Sequence, residues 1–252
     1  MVLVRAAQGA PELFMVQRHA TAAFGESYAF PGGLVDSDDR MVHSHCSGLT
    51  ASAANNALKM ADNALDYFSA AVRELYEESG VLLARGTDGA WAFAQRPTLR
   101  AELREELLAG TRKWSELLQE YDLRLACESL HYVGHWETPL KLPKRFSTRF
   151  FVAAMPTGQR ARYAPGELTD GRWLSAEKML SLTRENALRV PYPTLKNLQY
   201  IAQYASLTEL LKWAGARAAR GIERIRPETI EVDGKLRAVL RGDPGYPHRA
   251  AE

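Results

Sequence analysis

The feature that most constrains the fold of this sequence is the stretch 71–81, which reads AVRELYEESGV. On an α-helix with 3.6 residues per turn, Glu74, Glu77 and Glu78 share one face, because they are related as i, i+3 and i+4. The opposite face carries residues that can pack against a sheet, namely Val72, Leu75, Tyr76 and Ser79. The pattern predicts an amphipathic helix over 65–79, ended by Gly80 in the left-handed conformation typical of a helix C-terminus.

The three glutamates of this helix are candidate metal ligands. Like charges at these spacings disfavour an isolated helix by roughly 0.2–0.5 kcal/mol per pair, and a bound divalent cation would reverse that effect. Carboxylate oxygens on a rigid element suit Mg²⁺ or Mn²⁺, with substrate phosphates and water completing the coordination. The alternative is a solvated acidic helix face, which is common on protein surfaces.

The rest of the chain mixes strand-like and helix-like segments, which predicts a single α/β domain with a sandwich architecture. One hairpin is expected from 1–6 and 13–18, and another from 228–240 around Asp233 and Gly234. Further strands are expected at 81–84, 129–137, 148–155 and 172–174. Further helices are expected at 51–61, at two places between 99 and 120, at 175–182 and at 194–211.

Charge and cysteine content exclude several classes of partner. The 32 Lys and Arg residues nearly balance the 30 Asp and Glu residues, so the net charge is only +2. This balance does not favour binding to nucleic acid or to a membrane surface. No run of about 18 apolar residues is present, so no membrane-spanning segment is expected. Cys46 and Cys127, the two cysteines, are expected to be free thiols, as is typical of a cytoplasmic protein.

A glycine turn and the predicted helix together resemble a known motif. The turn Phe-Pro-Gly-Gly ends at Gly33, and residues 73–81 read RELYEESGV. They resemble the Nudix box, G-x5-E-x7-R-E-U-x-E-E-x-G-U with U aliphatic, and residues 73–81 match its second half at every fixed position. Arg73 follows Gly33 by 40 positions where the box has 14, so 26 residues are inserted, at about 40–65. The first acid of the box is left open between Asp39 and Asp66.

An interrupted box is similar to that of a Nudix branch that includes the peroxisomal coenzyme A diphosphatases. Segments 135–139, 145–151 and 170–174 also look like this branch. The resemblance implies one Nudix domain over 1–252, built as an α/β/α sandwich with a mixed sheet and an insertion inside the box. It further implies a C-terminal helical and hairpin extension at about 192–252. The implied activity is hydrolysis, dependent on Mg²⁺ or Mn²⁺, of a nucleoside diphosphate linked to another moiety, with coenzyme A or its thioesters as leading candidates.

Other functions stay open. The motif associated with coenzyme A-cleaving Nudix enzymes is matched only at its start, by residues 13–18, because its later Arg and Gly would fall at Ala22 and Glu26. An ADP-ribose, dinucleotide or nucleotide-sugar diphosphatase is the enzymatic alternative. A Nudix-fold sensor that holds a metabolite without cleaving it is the non-enzymatic alternative. The expected partner is a small-molecule diphosphate, and a homodimer is an open alternative to a monomer.

Roles for other residues follow from the same resemblance. The three box glutamates would hold the metal, and Arg73 would orient one of them. Gly32 and Gly33 would let the backbone approach the metal and the phosphates, because glycine has no Cβ. Glu167, just before residues 170–174, is a candidate general base, since Nudix enzymes often draw a further carboxylate from a later loop. The alternative is an exposed loop acid, because loop carboxylates are commonly solvated.

A pair of arginines is a candidate for binding substrate. Arg145, Ser147 and Arg149 are spaced i, i+2 and i+4, so a strand places them on one side. Arginine suits bidentate contact with phosphate. Arg145 and Arg149 are therefore candidates for holding the leaving group or a distal phosphate. The alternative is a solvated strand face.

Overall fold

The computed structural model describes residues 1–20, 25–142, 144–232, 234–243 and 246. Its strands are β1 (Val2–Arg5), β2 (Glu12–Arg18), β3 (Tyr28–Ala29), β4 (Cys46–Ser47), β5 (Ala84–Arg85), β6 (Arg124–Ala126), β7 (His131–Glu137), β8 (Ser147–Ala154), β9 (Leu168–Ser175), β10 (Arg224–Ile225), β11 (Glu228–Val232) and β12 (Lys235–Val239). Its α-helices are α1 (Ser37–Met41), α2 (Ala51–Leu58), α3 (Leu65–Ser79), α4 (Pro97–Leu108), α5 (Trp114–Glu120), α6 (Ala176–Arg184), α7 (Tyr192–Ile201) and α8 (Leu207–Ala219).

The main sheet is mixed, as the resemblance implies. Its strand order is β10-β7-β8-β1-β2-β3, and β9 pairs with β2. β1 and β8 are parallel, and so are β10 and β7, whereas β1–β2, β7–β8 and β2–β9 are antiparallel. In this register β2 and β7 end at the same edge of the sheet at which β8 and β9 begin. Side chains from four strands can therefore meet at that edge.

Helices cover both faces of the sheet, which confirms the α/β/α sandwich. Successive residues of β1 point to opposite faces, and the core divides accordingly. Leu3 packs in the cluster that contains Leu75 and Tyr76 of α3. Val2 and Val4 pack in the other cluster, with residues of α6, α7 and α8. The helix that carries the glutamates thus lies on one face, and the C-terminal helices lie on the other.

The segment inserted in the box is part of the folded core. Val42, Ala54 and Leu58 are buried in the cluster on the α3 side of the sheet. β4, which also lies in this segment, pairs in parallel with β6, and β5 completes a small three-stranded sheet. The structure thus packs this segment against the domain, on the α3 side of the sheet.

The expected strand at 81–84 is wrong in its position. Residues 81–83 are buried but are not in a strand, and β5 begins only at Ala84. The side chain of Gln159 takes the place of a neighbouring strand, because its amide accepts from the Leu82 N–H at 2.8 Å and donates to the Leu82 carbonyl at 2.9 Å. This partner is 77 residues away, so local patterning does not indicate it.

Two boundaries near the C-terminus also differ. The helix expected at 194–211 is two helices, α7 and α8, because the Ser206 side chain accepts from the Glu209 N–H and begins a new helix. The strand expected at 172–174 extends over β9, paired with β2 along its length. The tail hairpin forms from β11 and β12; Asp233 of its turn lies outside the described residues. None of the helices in the described ranges is both long and apolar enough to cross a membrane.

Candidate active site

The helix that carries the three glutamates forms where it was expected. α3 runs from Leu65 to Ser79, and Gly80 follows in the left-handed conformation with a φ of 68°. Its sheet-facing side is fully buried at Val72, Leu75 and Tyr76. Burial of this face anchors the helix and fixes the direction of the glutamates, whose side chains are 10–20% exposed.

Arg73 connects the helix to the glycine turn. Its guanidinium donates to Glu74 and Glu77, each at 3.0 Å, and to the Leu34 carbonyl at 2.8 Å. The same group forms an ion pair with Asp39 at 3.0 Å. The side chain of Arg73 is only 9% exposed and that of Asp39 is fully buried. Arg73 therefore holds two of the glutamates and the start of the inserted segment in one arrangement.

Asp39, and not Asp66, lies beside Arg73. Its carboxylate also accepts from the Ser69 hydroxyl at 2.8 Å, and from the Asp36 amide at 2.8 Å as part of the cap of α1. Asp66 is engaged elsewhere, with Arg40 at 3.2 Å and His43 at 2.6 Å. Of the two aspartates left open by the spacing, Asp39 occupies the position that supports the helix arginine.

The glycine turn comes into direct contact with the glutamates. The Gly32 amide donates to Glu78 at 2.8 Å. A Cβ at Gly33 would lie 2.5 Å from both carboxylate oxygens of Glu74, which is too close for any other residue without displacement of Glu74. Arg18, at the end of β2, donates to the Gly32 carbonyl at 2.5 Å and lies 3.7 Å from Glu78.

Burial makes these carboxylates hard to ionise. It raises the pKa of Glu77 and of Glu78 to about 7, against the opposing effects of Arg73 on Glu77 and of Arg18 on Glu78. Burial also raises the pKa of Glu74, again opposed by Arg73. The nearby arginines therefore do not fully compensate the three negative charges, which is the electrostatic condition that a cation would relieve.

The donor set fits a divalent cation in its chemistry, although it is not arranged around a single point. Within the part of the chain that the structure describes, no three His, Cys, Asp or Glu side chains are grouped closely enough to hold an ion. Arg73 lies between Glu74 and Glu77 and bonds to both. These bonds use Oε1 of Glu74 and Oε2 of Glu77, so a cation would bind the other carboxylate oxygens after a local rearrangement that keeps the contacts with Arg73.

The other residues singled out by the sequence lie on or next to strands β2 and β8. Glu167 is exposed, and its carbonyl accepts from the His19 amide at 2.9 Å, which places it next to the end of β2. Arg149 lies on β8, with its guanidinium carbon 3.9 Å from the centre of the Tyr67 ring on α3. Arg145 is exposed and precedes β8, which begins at Ser147. The structure thus brings Arg149 to the helix but does not place Arg145 on the strand.

Two residues of this region are absent from the sequence interpretation. Arg18 is the last residue of the strand that leads toward the glycine turn, so its position was a usable signal. Tyr67 lies seven residues before Glu74 in α3, which is two helical turns on the same face. The roles of both depend on contacts between residues far apart in the chain, which local patterning alone does not predict.

Comparisons with known proteins agree with this architecture. The sequence profile of the NUDT19 Nudix domain matches residues 51–201. Human acyl-coenzyme A diphosphatase NUDT19 is 27% identical over 185 residues, which cover 70% of this chain and 49% of the human protein. The Xenopus laevis protein of the same name is 22% identical over 277 residues, covering 94% of this chain and 71% of that protein. This chain therefore spans about half the length of the human relative.

A solved structure gives the same fold. The crystal structure of a Nudix hydrolase from Alicyclobacillus acidocaldarius superposes with a TM-score of 0.66 and 24% sequence identity. The superposition covers 84% of this chain and 93% of the other. At this identity the likeness establishes the fold, and function has to be argued from the site itself.

Proposed function

This chain belongs to the Nudix family, in the group of the NUDT19 Nudix domain, and we propose that it is a metal-dependent diphosphatase. The reaction is attack of water on one phosphorus of a diphosphate, with cleavage of a bridging P–O bond to release two phosphate monoesters. The observation that carries the proposal is that one helix face presents three carboxylates that are each only 10–20% exposed, with Glu78 bonded to the Gly32 amide and Glu74 against Gly33. A sensor without activity would have no need to keep three such carboxylates together against their mutual repulsion.

The residues of the site have different proposed roles. Glu74, Glu77 and Glu78 would hold Mg²⁺ or Mn²⁺, which supplies charge neutralisation of the diphosphate and a lowered pKa of bound water. Arg73 positions Glu74 and Glu77 through the contacts at 3.0 Å. The turn at Gly32 and Gly33 brings the backbone against these carboxylates and leaves room for phosphate oxygens.

Glu167 and Arg18 are proposed to act beside the carboxylates. Glu167 is the proposed general base, because its loop bonds to the residue that follows Arg18 and its side chain is exposed to water. Arg18 offsets the charge of Glu78 at 3.7 Å and presents a cation to an incoming anionic substrate. Arg145 is exposed and is proposed only to attract the anionic substrate at longer range.

Coenzyme A or one of its thioesters is the proposed substrate. The support is the name of the curated relatives, acyl-coenzyme A diphosphatase. The test is a turnover screen with coenzyme A, an acyl-coenzyme A, ADP-ribose, a dinucleoside polyphosphate and a nucleotide sugar, with the products identified by mass. Cleavage of the coenzyme A compounds at the diphosphate would support the assignment. If ADP-ribose or a dinucleotide were cleaved faster, that compound would become the proposed substrate. If no compound were turned over in Mg²⁺ or Mn²⁺, the proposed diphosphatase activity would be refuted.

Gly33→Ala is expected to weaken Mg²⁺ binding by roughly 10–100-fold, the loss typical when the surroundings of a metal ligand are disturbed. The new Cβ would lie 2.5 Å from the Glu74 carboxylate, and Glu74 would have to turn away. Stability should change little, because the displaced atoms are the end of a flexible side chain. The measurement is the Mg²⁺ concentration for half-maximal turnover, together with a thermal melt. Gly215→Ala, in α8 where a Cβ meets nothing closer than 3.8 Å, is the matched control and should resemble wild type.

The stabilisation of the protein by Mg²⁺ is expected to depend on pH. The pKa values of Glu77 and Glu78 are raised to about 7 by burial, so protons compete with the metal below that pH. Without metal, the folded state retains protons that the unfolded state loses between about pH 4.5 and 7, so this contribution to stability falls as pH rises through that window. Addition of Mg²⁺ should therefore raise the melting temperature more at about pH 8 than at about pH 6. An equal rise at both values would contradict the assignment of these glutamates as ligands.

A further inference from the structure

The accessible surface of α3 forms a single stripe. Only four of its residues are not buried, and they follow one another at helical spacing: Tyr67, Ala71, Glu74 and Glu77. The stripe begins at the carboxylates and runs toward the start of the helix. Tyr67 lies seven residues before Glu74, or about 10 Å along the helix axis. A substrate held at the carboxylates can therefore extend along this stripe as far as Tyr67.

Arg149 stands at the far end of the stripe. Its guanidinium carbon is 3.9 Å from the centre of the Tyr67 ring, a distance typical of a stacked cation–π pair. Its Nε and Nη1 groups are buried, and neither has a hydrogen-bond partner among the residues that the structure describes. Buried donors without a partner are rare in folded proteins, and each one calls for a water, an ion or a ligand.

The charges around Arg149 favour an anion as that ligand. The acid on the neighbouring strand, Glu137, is already bonded to Arg226 at 3.0 Å and to Arg224 at 3.4 Å. His135 is directly opposite Arg149 in the sheet, and its pKa is lowered by burial and by the charge of Arg149. No carboxylate among the described residues forms an ion pair with Arg149, so its charge is available to a ligand.

We propose that Arg149, stacked on Tyr67, binds a phosphate monoester of the substrate that lies beyond the diphosphate being cleaved. This inference rests on the proposed function, because it places a second anionic group of the same substrate. A nucleoside diphosphate conjugate that also carries a phosphate on its ribose has the required chemistry, and coenzyme A is such a compound. Because Nε is bonded to Cδ, these donors reach a phosphate in the open stripe through rotation about the side-chain torsions of Arg149.

The Arg149 contact determines substrate specificity, because only a substrate that carries the additional phosphate can form it. A charge-assisted bidentate contact of arginine with phosphate is stronger and more directional than the contact of lysine. Loss of such a contact is expected to lower kcat/KM by roughly 10- to 150-fold. The same loss should hardly affect a substrate that has the diphosphate alone.

The kinetic test compares coenzyme A with dephospho-coenzyme A, which lacks only the ribose phosphate. In the wild type, kcat/KM should be higher for coenzyme A. Arg149→Ala should lower kcat/KM for coenzyme A by roughly 10- to 150-fold and for dephospho-coenzyme A by less than about threefold, whereas Arg149→Lys should fall in between. Arg184→Ala, an exposed arginine on α6, is the matched control and should leave both values unchanged. Equal losses on the two substrates, or no loss on either, would overturn the proposal.

A binding test keeps the inference separate from the proposed function. Titration calorimetry with adenosine 3′,5′-bisphosphate and with adenosine 5′-monophosphate requires no turnover. The wild type should bind the bisphosphate more tightly, and Arg149→Ala should remove most of that difference. If no diphosphate is cleaved but this preference is present and depends on Arg149, the subsite stands and the proposed reaction fails. If cleavage occurs but the two nucleotides bind equally, the reaction stands and the subsite is wrong. A thermal melt of each variant, with Arg149→Lys as the milder change, shows that the folded proteins are being compared.

Discussion

Glu77→Gln and Glu78→Gln are each expected to lower kcat by more than about 100-fold, beyond the roughly 10–100-fold effect of losing a residue that only supports a metal ligand. An amide is a neutral and weaker ligand than a carboxylate, so the charge of the diphosphate would remain uncompensated. The fold should survive. Burial already raises the pKa of both glutamates to about 7, so removing the charge relieves a cost of desolvation in the metal-free protein. A melting temperature equal to or above that of the wild type is expected without metal.

The measurement is turnover over a range of Mg²⁺ concentrations, with melts recorded in the presence and absence of the metal. Glu102→Gln, an exposed glutamate on α4, makes the same chemical change on a solvated helix and should behave like the wild type. If Glu78→Gln turned over substrate at nearly the wild-type rate in saturating Mg²⁺, the box glutamates would not be the metal ligands. A loss of activity accompanied by unfolding would instead assign them a structural role.

The catalytic helix could be predicted because its determinants are local. The spacing of Val72, Leu75 and Tyr76 defines one buried face, and Gly80 supplies a left-handed cap without a steric penalty. The hairpin of β1 and β2 was predictable for the same reason, since its strands are close in sequence and patterned for burial. These elements require no knowledge of the rest of the molecule.

Contacts between distant segments were not predictable. Gln159 satisfies the backbone of Leu82 across 77 residues, and that bond explains why residues 81–83 are not a strand. The link between the inserted segment and the helix is similar, because Asp39 and Arg73 are 34 residues apart. Spacing alone left Asp39 and Asp66 as equal candidates for the first acid of the box. Only the packing of the insertion against α3 distinguishes them.

Asp39→Asn is expected to reduce both stability and activity. Breaking a buried ion pair from one side typically costs about 3–5 kcal/mol, and the low end, about 3 kcal/mol, is expected here because Glu74 and Glu77 still contact Arg73. For a chain of this size that corresponds to a fall in melting temperature of roughly 6–12 °C. Because Arg73 would no longer be held by Asp39, it would position the two glutamates less well, and kcat should fall by roughly 10–100-fold.

Asp66→Asn provides the matched comparison, because the two aspartates differ in their partners and hardly in their burial. Asp66 is bonded to Arg40 and His43, whose side chains are 61% and 30% exposed, and ion pairs with exposed partners contribute little. Its replacement should lower the melting temperature by less than that of Asp39 and should change kcat by less than about threefold. Denaturant unfolding of both variants measures the change in stability, and steady-state kinetics measures the change in kcat. If Asp66→Asn proved the more damaging to kcat, the first acid of the box would be Asp66, and the support of Arg73 by Asp39 would be a matter of folding alone.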